Sequence, residues 1–225
     1  TKNIPDNSGR TICITGANSG LGLEAARNLV GAGAHVIMAC RNVEKAEAAA
    51  QSLRSGKGSV EVRQLDLASL ASIRQFSEQL LADGIELDGL MNNAGLMALD
   101  QSRTEDGFET QIGVNHLGHF ALTGLLLPSL MKRPNSRIVN VSSMGHIPGK
   151  IHLDDLMCDR RRYSRWGAYF QSKLANILFT NELERRLRET QSTTIASAAH
   201  PGTARTELGK SGSSATNFVM RRLTP

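Results

Sequence analysis

Apolar positions along this chain fall into two alternating spacings. The run "RTICIT" (10 to 15) is short, apolar and closed by glycines, and the "GLEAARNLVGAGA" after it sets Leu23, Ala26, Leu29 and Val30 on one helical face before Gly31 and Gly33 end it. Strand, turn and helix are predicted in that order. The unit then repeats. "HVIMAC" (35 to 40) has strand length, "VEKAEAAAQSLRS" (43 to 55) consists of helix formers, "SVEVRQLDL" (59 to 67) alternates before turning apolar, and a helix is expected from Leu70 to Ala82. Beyond it the pattern predicts a strand "LDGLMNN" (87 to 93), a long helix from Phe108 to Met131 closed near Pro134, and a strand "RIVNVSS" (137 to 143). An irregular segment to Arg165, a helix to Glu189 and a strand "TTIASAAH" (193 to 200) complete the series.

Strands that alternate with helices and are apolar on both faces imply a parallel sheet covered on each side, with right-handed crossovers. The expected fold is therefore a single-domain α/β protein with a Rossmann-type doubly wound sheet, occupying residues 1–225 as one unit. Such a sheet binds its ligand beyond the carboxyl ends of the strands. The informative residues should lie just after strands.

Composition narrows the partners. Aromatic residues make up only 4%, too few for the stacking platforms that single-stranded nucleic acid needs, so a net charge of +5 does not imply a nucleic-acid partner. The arginine runs at 160–162 with Arg165, and at 185, 186 and 188, read as solvated faces. The most apolar stretch, "FALTGLLLPSLM", is short of the ~20 residues a membrane span requires and contains Pro128, so no transmembrane segment is expected. Three widely spaced cysteines, Cys13, Cys40 and Cys158, fit a reducing, cytoplasmic compartment, with Cys13 and Cys40 buried in strands. His116, His119 and His200 do not form a metal set, because the i, i+3 pair lacks the HExxH arrangement.

The loop "TGANSGLG" (15 to 22) joins the first strand to the first helix. Its glycines permit a tight turn and close backbone approach, and the helix amides face an anion, so Gly16, Asn18, Ser19, Gly20, Leu21 and Gly22 are expected at a dinucleotide's phosphates. Ser19 or Asn18 also stands where it can cap the helix. After the second strand, an NAD enzyme should carry an acid for the ribose hydroxyl. Here the residue is Arg41, whose guanidinium suits a 2′-phosphate and points to NADP(H). Asp66 either accepts from the adenine amine or caps the helix beginning near Ser69.

Both tyrosines of the chain lie in "RRRYSRWGAYFQSKLAN"; Tyr169 has Lys173 one helical turn on, whereas Tyr163 has Gly167 and is assigned to packing or a pocket wall. Lowering a phenol pKa from about 10 by 2 to 3 units takes roughly 3 to 4 kcal/mol. A cation about 4 Å away at an effective dielectric near 20 supplies about that much. Lys173 is thus expected to lower Tyr169, making it a general acid/base for hydride transfer. "VSS" offers Ser142 and Ser143 at the same sheet edge, and alternation lets only one of them face the site. Asn115, in an apolar helix, either satisfies an irregularity beside Gly113 or holds a water in a proton relay.

Taken jointly, "TGANSGLG", "LDL" (65 to 67), "NNAG" (92 to 95), "VNHLGHF" (114 to 120), "NVSS" (140 to 143), "YFQSK" (169 to 173) and "HPGTART" (200 to 206) resemble the short-chain dehydrogenases/reductases, in that family's order. The resemblance implies a catalytic tetrad of Asn115, Ser143, Tyr169 and Lys173. It also implies that Asp66 and Leu67 flank the adenine, that Asn93, Ala94 and Gly95 lie along the cofactor, and that Pro201 and Thr206 meet the nicotinamide or pyrophosphate. "VIMACRN", "DGFE" and "RYSRWGAYFQSKLANILFT" are most similar to the retinol-dehydrogenase-like, NADP-dependent branch, which implies a lipophilic alcohol, aldehyde or ketone as substrate. The family's habit of pairing the helices near 108–131 and 165–189 between subunits implies a homo-oligomer, dimer or tetramer. Protochlorophyllide reductases share a similar "HVIMACR" and "LDLASL", which keeps a light-driven reductase as a second reading and a non-catalytic NADP-binding regulator as a third. The excursion between Ser143 and Tyr169 is longer than in the family's simplest members and is expected to wall the substrate pocket. The chain ends at Pro225, soon after Thr206, where the family supplies a covering helix and last strand, so both are expected to be lacking.

Overall fold

A computed structural model of the chain describes residues 4–202. Six strands form one parallel sheet in the order β3-β2-β1-β4-β5-β6. They are β1 (Thr11–Thr15), β2 (His35–Cys40), β3 (Ser59–Gln64), β4 (Gly89–Asn92), β5 (Arg137–Val141) and β6 (Ile195–Ala199). The order reverses between β1 and β4, so the crevice at their carboxyl ends is the topological switch point.

Alternation along the strands separates two cores. Cys13 and Ile37 point to one face of the sheet and join Phe76 and Leu80 of helix α3 (Leu70–Ala82), Leu122, Leu126 and Leu130 of α5 (Gly118–Lys132), and Leu183 and Leu187 of α6 (Arg165–Glu189). Ile14, Val36 and Met38 point to the other face, against Ala26 and Val30 of α1 (Gly20–Gly31) and Ala46 and Ala50 of α2 (Val43–Gln51). Strands apolar on both faces are what a sheet sandwiched between helices requires.

The element boundaries differ from the sequence pattern in four instructive ways. α2 ends at Gln51 instead of continuing to Ser55, because the chain tightens into three-residue turns, with Leu53 N donating to Ala50 O at 2.8 Å and Gly56 N to Leu53 O at 3.0 Å. β3 stops at Gln64, where its partner β2 runs out at Cys40, and the Asp66 carboxylate then turns the chain by accepting from Ala68 N at 2.9 Å. β4, β5 and β6 are each shorter than the apolar runs that contain them. The long helix is not continuous: a short α4 (Thr110–Ile112) leads into a π-helical turn, Gly113–Leu117, before α5. A Cβ on Gly113 would lie 2.6 Å from Thr104 Cγ2, so only glycine lets the helix enter the wide turn this close to the 104 segment.

Candidate active site

The turn after β1 has the geometry of an anion cradle. Gly16 has φ +64°, and a Cβ there would meet Ala94 Cβ at 2.9 Å; Gly20 has φ +54° and opens α1. Ser19 is the N-cap of α1, yet its side chain makes no capping bond, and no acidic residue occupies the first turn. Asn18 and Leu21 are half-buried on the same turn. Burial pushes the Cys40 thiol up, opposed by the backbone amides of Ala17 and Asn18 directed at its sulfur. The end of β2 therefore holds the loop from below. These features fit a dinucleotide's phosphates.

The segment after β4 braces that loop. Asn93 Nδ2 donates to the Thr15 carbonyl at 2.8 Å and more weakly to Gly16 O at 3.4 Å, while the amides of Asn93 and Ala94 donate to Thr15 Oγ1 at 2.9 and 3.0 Å. A Cβ on Gly22 would fall 2.5 Å from Asn93 Nδ2 and 2.7 Å from Gly16 O, so the two loops interlock around that glycine. Arg41 is exposed at the end of β2, and its guanidinium has no ion-pair partner among the described residues. The next residue, Asn42, caps α2 by accepting from Lys45 N at 2.8 Å. Ser69, not Asp66, caps α3, and the Asp66 carboxylate instead accepts from Ala68 N. Leu67 is buried, its side chain within the apolar core.

The expected tetrad converges beside Gly95. A Cβ on Gly95 would stand 3.3 Å from Asn115 Oδ1 and 3.5 Å from Lys173 Nζ, so the absence of a side chain opens the space the two polar groups face. Tyr169 and Lys173 are both buried on α6, with Lys173 Nζ 5.8 Å from the phenol ring centroid and donating to Val141 O at 3.1 Å. Ser143 caps the short turn Met144–His146 by accepting from Gly145 N at 3.1 Å, and it hydrogen-bonds Tyr169. Ser142 points the other way, donating to Lys173 O at 3.0 Å, which leaves Ser143 as the serine of the pair beside Tyr169, the one the resemblance implies. A Cβ on Gly145 would sit 3.1 Å from Tyr169 Cε1, which packs the turn after β5 directly on the phenol.

Asn115 lies in the π-helical turn and is fully buried. Its amide clamps Leu96 from both sides, accepting from Leu96 N at 2.7 Å and donating to Leu96 O at 2.9 Å, and also donates to Ser172 Oγ at 2.9 Å. A helix irregularity is present beside Gly113, but the Asn115 side chain spends its bonds on Leu96 and Ser172 and not on the backbone of that turn.

One expectation about the electrostatics is overturned. Tyr169 is pushed up from its ordinary value by burial, with the Ser143 hydrogen bond lowering it only in part. Lys173 does not pull it down, because the ammonium is turned to the Val141 carbonyl and is itself pushed down to about 8 by burial.

Tyr163 is more than packing. Its hydroxyl donates to Glu109 Oε1 at 3.0 Å, with Leu99 O at 3.2 Å as a weaker partner, and accepts from Gln111 Nε2 at 2.9 Å. Glu109 is buried and also accepts from Gln111 N and Ile112 N at 3.0 and 2.8 Å. This knot fastens the 144–164 excursion to α4, and burial, with the Glu109 carboxylate beside it, pushes the Tyr163 phenol well above its ordinary value. Pattern reading misses it because its members are far apart in sequence. The excursion exposes Met144, Ile147 and Leu153. Pro201 is exposed beyond β6, and Thr206 lies outside the described residues. Among the described residues no cluster could hold a metal and no helix is long and apolar enough to cross a membrane.

Comparisons with known proteins agree with this geometry. A family model for short chain dehydrogenase matches residues 10–217. Human retinol dehydrogenase 13 is 50% identical over 204 residues, 90% of this chain and 61% of that protein, so the chain spans about three fifths of this curated relative. The crystal structure of an uncharacterized protein from Mycobacterium paratuberculosis is 52% identical, with a TM-score of 0.82 over 99% of this chain and 77% of that one. The Pseudomonas aeruginosa RhlG/NADP active-site complex is 25% identical with a TM-score of 0.72, covering 90% and 77% of the two chains. A family model over most of its length and a relative at 50% identity, on a doubly wound sheet with a glycine cradle, show that the chain belongs to the short-chain dehydrogenase family.

Proposed function

We propose that this protein is an NADP(H)-dependent oxidoreductase that interconverts a lipophilic alcohol and its aldehyde or ketone. The observation that carries the reading is the convergence of Tyr169, Ser143 and Lys173 at the sheet edge beside the glycine cradle. Arg41, exposed after β2, supports NADP(H) over NAD(H), as does the NADP in the RhlG complex. The relationship to retinol dehydrogenases and the exposed Met144, Ile147 and Leu153 support a lipophilic substrate.

The loop Gly16–Gly22 and the α1 amides would hold the phosphates, Arg41 the 2′-phosphate, and the Asn93–Gly95 backbone the nicotinamide side. When bound, the cofactor supplies a hydride to the carbonyl carbon or accepts one from the alcohol. As negative charge builds on the carbonyl oxygen, the Tyr169 hydroxyl gives up its proton to that oxygen, and the Ser143 hydroxyl holds the same oxygen in place. In the direction of oxidation Tyr169 takes the proton back. Burial keeps the Tyr169 phenol protonated and so in the donor form before transfer, at the cost of a weaker acid, and the Ser143 hydroxyl offsets part of that cost.

The test is oxidation of NADPH and of NADH against aldehydes and ketones of graded chain length, retinal included. Tyr169→Phe is expected to lose at least about 100-fold in turnover while still binding NADPH. A fully active variant overturns the assignment.

A further inference from the structure

His119 is buried between the end of β1 and the π-helical turn that carries Asn115. Its Nδ1 lies 3.1 Å from the Asn115 carbonyl oxygen and its Nε2 lies 2.9 Å from Thr15 Oγ1. The partners decide the tautomer. A carbonyl only accepts, so Nδ1 carries the proton. Thr15 Oγ1 has both lone pairs engaged by the amides of Asn93 and Ala94, at 2.9 and 3.0 Å, leaving its own proton to donate. The alternative acceptor, Met91 O, is distant at 3.4 Å, so the hydroxyl donates to Nε2. A second proton on the ring would set three donors against one hydroxyl oxygen. Burial, with Lys173 and His116 as like-charged neighbours, disfavours that proton further and holds the ring near 4.

The two ends of this relay clamp one segment. Thr15 fixes Asn93 and Ala94, and Asn115, whose carbonyl His119 holds, fixes Leu96 through its amide. Gly95, which faces Asn115 and Lys173, lies between these two anchors. We propose that His119, as the neutral Nδ1–H tautomer, is a positioning residue that sets the 93–96 segment for both cofactor binding and proton transfer. The inference rests on the reading of Tyr169 and Lys173 as an NADP(H) site.

The two nitrogens can be tested apart in the full-length protein. His119→Asn keeps a donor near the Nδ1 position, His119→Gln keeps an acceptor near the Nε2 position, and His119→Phe keeps neither. With Phe, the Kd for NADPH is expected to rise about ten-fold and kcat to fall about ten-fold, with little change in the carbonyl KM. Asn should recover mainly kcat, and Gln mainly NADPH affinity. Nitrogen-15 NMR of the wild-type imidazoles should find His119 protonated at Nδ1 alone between about pH 5 and 9. An Nε2–H tautomer overturns the proposal, as do variants that lose thermal stability but share the wild-type Kd and kcat. If His119→Phe does not fold, the Asn and Gln pair and the spectrum still decide. A wild type that binds NADPH but reduces no carbonyl would count against the catalytic reading, while the tautomer and the NADPH Kd would continue to judge His119.

Discussion

Lys173 is a cation in a place that does not favour one. It is almost fully buried, has the Val141 carbonyl as its hydrogen-bond acceptor, and is pushed down to about 8 from an ordinary 10.5. Between those two values the unfolded chain binds a proton that the folded chain does not, so folding stability rises with pH across that window. At neutral pH the folded protein therefore bears the cost of a charged, buried ammonium, on the order of 1–3 kcal/mol. Lys173→Met should have a higher Tm than the wild type at pH 7 and no oxidoreductase activity. The advantage should shrink as pH rises from 8 toward 10, because only the wild type titrates there. Thermal melts across that range check it, and a wild type more stable than the variant at pH 7 would show that the Val141 contact outweighs the desolvation. Function here costs stability at a named atom.

At the scale of elements, the sequence pattern was most legible where burial alone decides. β1, β2, α3 and α6 lie where the apolar periodicity predicts them, because the two strands are anchored in both cores and the two helices in one. It was least legible where tertiary partners decide. The π-helical turn at Gly113–Leu117 depends on Thr104 crowding Gly113 and on Asn115 finding Leu96, contacts that no local spacing records. The Tyr163 knot and the His119 relay were hidden for the same reason, each joining residues dozens of positions apart. That only one of Ser142 and Ser143 can face the site was readable, since alternation at a strand end is a local rule, whereas which one it is followed only from the family resemblance. The raised Tyr169 was not, because the direction in which Lys173 Nζ points is set by the Val141 carbonyl. The β2–α2 connection carries its own prediction. Asn42 is occupied in capping α2, so the proposed contact with a 2′-phosphate falls to Arg41 in that turn. Arg41→Asp should shift the ratio of kcat/KM for NADPH over NADH toward NADH by at least about ten-fold. An unchanged ratio would place the 2′-phosphate elsewhere.

Across the whole molecule, the surface of α5 and α6 departs from what a lone globule needs. Phe120 is 55% exposed and Met131 43% exposed on α5, and Leu178 is 50% exposed on α6. Phe120 stacks at 5.2 Å on Phe179, with His116 against both rings, so the two helices share one aromatic seam that reaches the surface. Nothing lies within 4 Å of where a Cβ on Gly124 would be, which leaves a shallow groove one turn beyond Phe120. Apolar side chains aligned on a helix face, with room for close approach, are the makings of a helix-to-helix contact. A second copy of the same chain is the proposed occupant, since a two-fold contact would set each Phe120 seam against its twin. Phe120→Asp should convert the assembly to single chains at micromolar concentration in analytical ultracentrifugation. The far-UV spectrum should be unchanged, because Phe120 is more than half exposed within one chain. A contact of ordinary size, about 1,200–2,000 Å² in total, does not survive a carboxylate buried at its centre without a partner. A wild type that sediments as one chain, or a variant that assembles as the wild type does, would assign the seam to a different partner.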